Sequence, residues 1–243
     1  MNILFVAPNM TDINAIPEIR AITSTHKAHV LNGQVSLQDV YQAVMNNEYD
    51  AIHIVAHMTA DTSTLDEIVL SGAHVLDLQA AARVAKLANA KLVVFSSCLA
   101  SRFATYLTKH GVPCVIFTTV EIADSTAWEL PNSFYEQCKR AERKGRLVDY
   151  RAVFNSVDSG DGTYGILISD AYYTDMLQPI NEALGALTKR VDDLYKILEE
   201  QGYPMPYIPT QRRRIVTAII VAIVAVFFVA SIITIISSLV QIL

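Results

Sequence analysis

A chain of 243 residues has room for one large domain, or for a modest domain with attachments. Its net charge of −5 argues against a basic face for nucleic acid, so no nucleic-acid partner is expected. Three cysteines (Cys98, Cys114 and Cys138) are an odd number, which speaks against a disulfide framework and fits a reducing compartment.

Residues 2–7 predict an apolar first strand, broken by Pro8-Asn9. They lack the basic leader of a signal peptide, and none is expected. A helix follows over 13–23, with Glu18 and Arg20 on its solvated side. Residues 27–31 predict a short strand, and Asn32-Gly33 a turn. Ser36 is placed to cap a helix reaching about Met45, in which Leu37, Val40, Tyr41 and Val44 share one face. The next apolar run, 49–57, ends on His57; His53 within it is read as packing. Residues 58–71 are polar and predict a loop, with a small hairpin at 67–70, rimming whatever lies at the strand end. Residues 76–90 predict a helix.

The run Leu92-Val-Val-Phe95 has the composition of a central parallel strand covered on both faces. Ser96-Ser97-Cys98 stands where that strand should stop. A helix is expected from Arg102 to His110, with Ser101 as its N-cap. Ligands of open α/β sheets bind outside the carboxyl ends of the strands. Cys98 is therefore a candidate for chemistry, close to a helix N-terminus that favours a thiolate. Two neighbouring strands ending in His57 and Cys98 would bring a thiol and a base together, as nucleophilic cysteine catalysis requires; the bland reading is a small buried thiol and a loop histidine. Residues 112–118 predict another strand, with Cys114 in the core. Residues 125–144 predict a long helix carrying Cys138, with Pro131 marking a kink or an offset start. Residues 158–162 form a turn, and 164–168 the last strand.

This alternation predicts an α/β fold with a parallel sheet covered on both faces. There is no Gly-rich dinucleotide fingerprint and no phosphate-binding loop. No histidine pairs with Cys or an acid at ligand spacing, so neither a cofactor nor a metal is expected. The globular domain is placed at 1–175. Over 176–201, Leu177, Ile180, Leu184, Leu187, Val191, Leu194 and Leu198 recur at alternating spacings of three and four, a heptad seam. It predicts either a coiled-coil stalk that makes the protein a homo-oligomer, or a helix docked on its own domain. Residues 202–214 are a proline-rich connector ending in Arg212-Arg213-Arg214. Residues 215–243 carry no charge, and as a helix would exceed the ~30 Å hydrocarbon core, which predicts one transmembrane helix. The arginines on its N-terminal side place the soluble part in the cytoplasm, as a single-pass, tail-anchored membrane protein. Ser231, Thr234, Ser238 and Gln241 share a face of that helix, which suits helix–helix contact or, in a bolder reading, a pore.

The stretch from Asn2 to about Ile168 resembles the CHAT family, caspase-like peptidase domains related to caspases and separases. The resemblance rests on Asp50-Ala-Ile-His-Ile-Val-Ala-His57, on Leu92-Val-Val-Phe-Ser-Ser-Cys98 and on the opening Asn2-Ile-Leu-Phe-Val-Ala-Pro8. Gly111-Val-Pro-Cys-Val-Ile116, Asp124 and Phe134-Tyr135 follow in the same order. The resemblance implies a caspase-like three-layer sandwich with a mostly parallel central sheet, and a cysteine endopeptidase working on a protein substrate. It makes Cys98 the nucleophile and His57 the general base and acid, with backbone N–H groups at Cys98 and Met58 holding the oxyanion. Two departures stand out: Met58 where the family usually has glycine, and Ala100 where the caspase signature has glycine. Glu121 and Asp124 are candidates for a specificity pocket taking a basic P1 residue, or else surface acids, Asp124 capping the long helix. Relatives in bacterial defence and cell-death systems suggest a regulated effector. The alternative is a non-enzymatic sensor of a ligand or partner, acting through assembly and its membrane helix.

Overall fold

A computed structural model describes residues 1–8, 13–59, 67–72, 74–121, 127–145 and 148–200. The chain divides into two units, 1–176 and 177–243.

The first unit is built on the apolar runs. Asn2–Pro8 (β1), Ala51–Val55 (β3), Leu92–Ser96 (β7) and Cys114–Thr118 (β8) are buried along almost their whole length, as strands covered on both faces must be. Lys27–Gly33 (β2) and Tyr164–Ile168 (β9) are more open, as edge strands are. Together they form a six-stranded sheet in the order β2-β1-β3-β7-β8-β9. Every pairing is parallel except that of β9, which runs antiparallel to β8. The expected turn at Asn32-Gly33 is instead the end of β2, because Ala7 and Pro8 offer it two further ladder partners. Strand order reverses between β1 and β3, so the switch-point crevice opens at their carboxyl ends.

Helices cover both faces. On one lie Leu37–Asn46 (α2), Leu78–Leu87 (α3) and Ser101–Lys109 (α4), packed on Leu4, Val6, Ile54, Phe95 and Val115. On the other lie Ile16–Thr25 (α1), Glu129–Arg143 (α5) and Tyr150–Val157 (α6), packed on Phe5, Val94 and Ile116. The result is a three-layer, mixed α/β sandwich with a mostly parallel central sheet. A second, antiparallel sheet of Met58–Thr59 (β4), Glu67–Val69 (β5) and Val75–Asp77 (β6) follows β3.

Local chemistry sets most boundaries. Ser36 caps α2 with a reciprocal bond pair to Asp39, which holds that carboxyl below its ordinary range. α3 starts later than expected, because residues 75–77 pair with β5 and Asp77 becomes the N-cap. α4 begins at Ser101 itself, after Ala100, and has no side-chain cap. α5 begins at Glu129, which puts Pro131 in its first turn, where a missing N–H costs no helical bond. α6 was not anticipated; Asp149 caps it by accepting from the Ala152 N–H at 3.1 Å.

The helix Asp170–Glu200 (α7) begins in the first unit and supplies the described part of the second. Along the seam, Leu177, Leu187 and Leu194 are exposed, and Leu184 and Val191 are half-buried. The side chains of Ile180 and Leu198 lie outside the described residues. Among the described residues no helix is long and apolar enough to cross a membrane; the expected span at 215–243 lies outside them.

One close approach locks β9 to the sheet. A Cβ built on Gly165 would stand 2.7 Å from Cζ of Phe117, its partner across the ladder. Gly165→Ala is expected to destabilise the protein by about 1–3 kcal/mol through overpacking, read as a lowered midpoint in urea unfolding.

Candidate functional site

β3 and β7 are neighbours, and their ladder runs to Val55 opposite Ser96. His57 and Cys98 each lie two residues beyond that last pair, so the same register carries both to one edge of the sheet. Both line a narrow cleft of about 40 Å³, together with Ile13, Asn14, Glu18, Ala127 and Trp128. The cleft sits at the carboxyl ends of β3 and β7, beside the switch point of β1 and β3. At that size it holds a few waters rather than a large side chain.

The thiol sits on a tight, well-anchored turn. Thr118, fully buried at the end of β8, donates from its hydroxyl to the Ser97 carbonyl. Its own carbonyl accepts from the Ala100 N–H at 3.0 Å. Between these two clamps, Leu99 takes a positive φ of 56°. That left-handed backbone is costly for a residue with a Cβ, and such strain collects at functional turns. Cys98 is the half-buried cysteine of the three. Burial pushes the Cys114 and Cys138 thiols far above their ordinary range, and both belong to the core beneath the sheet. The Ser97 hydroxyl, also at the cleft, is a buried side-chain polar atom with no hydrogen-bond partner among the described residues.

His57 sits on an equally determined segment. The His57 carbonyl accepts from the Val69 N–H at 2.9 Å, which ties the end of β3 to β5. Met58 opposes Ile68 in the antiparallel pair. Because Val69 bonds His57, Met58 and Ile68 form the pair that does not exchange hydrogen bonds, and the Met58 N–H points away from β5. Of the two acids expected at a specificity pocket, Glu121 is exposed and is not part of the described cleft lining, and Asp124 lies outside the described residues.

Two residues of the cleft region were misread from sequence. Glu18 is not solvated: it is 2% exposed and lines the cleft. Its Oε1 lies 2.9 Å from Nε2 of His53 and accepts from Oγ of Ser96 at 2.8 Å. His53 is not simple packing, since it is fully buried and also meets the Tyr135 hydroxyl at 3.3 Å and stacks on Phe5. The available signals were two: Glu18 shares a helix face with buried Ile22, four residues on, and an imidazole inside an apolar strand needs a polar partner.

A family model described as "CHAT domain" matches residues 10–149, more than half of the chain. No curated protein matches the sequence. Among solved structures, the Salmonella typhimurium RcsB response regulator is similar, at a TM-score of 0.36 and 7% identity, over 79% of this chain and 83% of that one. A likeness at that level carries no argument about fold or function.

The backbone strain makes a prediction. Leu99 is 47% exposed, so its side chain contributes little packing. Leu99→Val is expected to cost about 1–2 kcal/mol, because a β-branched residue is less tolerant of positive φ. Leu99→Gly should leave stability within about 1 kcal/mol of the parent, both read by thermal melting.

Proposed function

The chain belongs to the CHAT family, a caspase-like peptidase fold, and from that premise we propose that it is a cysteine endopeptidase working through Cys98 and His57. The observation that carries this reading is the register of β3 on β7, which takes both residues to one cleft. In the proposed reaction His57 accepts the Cys98 proton, and the thiolate adds to the carbonyl carbon of the scissile peptide bond. The backbone N–H groups of Cys98 and Met58 hold the oxyanion. The C–N bond then breaks, His57 returns the proton to the leaving amine, and water hydrolyses the thioester. The outward-facing Met58 N–H supports its part, since an amide donor survives there without glycine.

The remaining expectations complete the proposal. Residues 215–243 cross a membrane as one helix, with the peptidase in the cytoplasm. Substrates are proteins near that membrane, and the setting is a regulated effector of defence or cell death. The exposed Leu177, Leu187 and Leu194 favour a homo-oligomer formed through the heptad seam. The same exposure supports the second reading, a non-enzymatic sensor that acts by assembling at the bilayer.

Two experiments separate these readings. With a peptidyl electrophile, Cys98 of the full-length protein should label far faster than Cys114 or Cys138. His57→Ala should slow that labelling roughly a hundredfold or more. Labelling of Cys98 at the rate of an ordinary thiol would leave the sensor reading as the better one. Leu187→Asp with Leu194→Asp should lower the oligomeric mass seen by light scattering in detergent while labelling of Cys98 persists. An unchanged mass would remove the seam from the account.

A further inference from the structure

The cleft holds a buried carboxyl group that the proposed chemistry leaves unused. Glu18, on α1, is nine-tenths buried or more, yet it lines the same cleft as His57 and Cys98. Its Oε1 gathers Ser96 from β7 and His53 from β3 at 2.8 and 2.9 Å. Ser96 Oγ and His53 Nε2 are themselves 3.1 Å apart. This is not a second nucleophilic triad. In a triad the acid and the nucleophile meet opposite nitrogens of the imidazole; here both meet Nε2. A buried ionic group of this kind is a weak source of stability, and one inside a cleft is a functional candidate.

Its location suggests the function. His53 and Ser96 sit on the two strands whose ends carry the pair, and Ser96 faces Val55 in the last row of the ladder. Two residues beyond that row, past the strand ends, come His57 and Cys98. We propose that Glu18 is a positioning residue for the His57–Cys98 pair: bound by Ser96 and His53, it holds the ends of β3 and β7 in step. This rests on the peptidase reading above.

The test is the rate of Cys98 alkylation by iodoacetamide against pH, in the full-length chain, with the site read by mass spectrometry. Iodoacetamide is small and needs no substrate recognition. In the wild type the rate must depend on His57; if His57→Ala leaves it unchanged, the peptidase reading fails and this inference with it. Given that dependence, Glu18→Ala should slow alkylation about tenfold at unchanged melting temperature, and Glu18→Gln, which keeps an oxygen acceptor for Ser96, should recover part of the rate. An unchanged rate in Glu18→Ala, or no recovery in Glu18→Gln, overturns the proposal. So does a loss seen only with cationic P1 peptidyl probes and not with iodoacetamide, which would make Glu18 a reader of substrate. If Glu18→Ala does not fold, Ser96→Ala decides, since it breaks the link to β7 and keeps the carboxyl group: a rate about tenfold lower at unchanged melting temperature supports the proposal, and an unchanged rate overturns it.

Discussion

Everything at the cleft depends on how β3 lies against β7. In a parallel pair alternate residues face opposite sides of the sheet, so the row Val55–Ser96 determines the faces of the residues beyond it. A slip of one residue would send His57 and Cys98 to opposite faces. The two cores prevent such a slip. Ile52 and Ile54 belong to the cluster under α2, α3 and α4, while Ala51 and Val55 belong to the cluster under α1 and α5. Moving the register would exchange these sets and turn His53 away from Glu18, Ser96 and Tyr135 together.

The turn after β7 shows how a strained position is held in place. Thr118 binds the backbone on both sides of Leu99, from a strand that is itself central and fully buried. The unfavourable φ is therefore imposed by the neighbouring strand rather than by the residues of the turn. The segment after β3 is restrained differently, through the Val69 N–H and a small sheet of its own. Cys98 and His57 thus stand on separate supports, joined by the β3–β7 ladder and the polar cluster of Glu18, His53 and Ser96.

Packing alone does not account for that cluster. Phe5 and Tyr135 would enclose an apolar side chain at position 53 equally well. A carboxylate and an imidazole there must be desolvated, and their mutual contact offsets that cost only with full hydrogen bonding. The Ser96 and Tyr135 hydroxyls complete that bonding. In the second unit the logic is reversed: α7 leaves Leu177, Leu187 and Leu194 exposed.

Much of this was legible in the sequence. Continuous apolar runs marked β1, β3, β7 and β8, because strands buried on both faces must be apolar at every position. The positions of His57 and Cys98 just past two such runs placed both at one sheet edge, where they line one cleft, because the chain has to leave the sheet there. The α6 helix was legible but unread: Asp149 is a capping residue, and Tyr150 and Phe154 share one face behind it. What the sequence could not decide was which partner each polar group would find. Glu18 looks like a surface acid on a short helix until α1 is laid across His53 and Ser96, residues far away along the chain. The antiparallel course of β9, the positive φ at Leu99 and the outward turn of the Met58 amide were likewise decided by tertiary structure. Periodicity records which faces are buried, whereas pairing direction, imposed strain and buried charge depend on contacts between elements, and no local pattern encodes those.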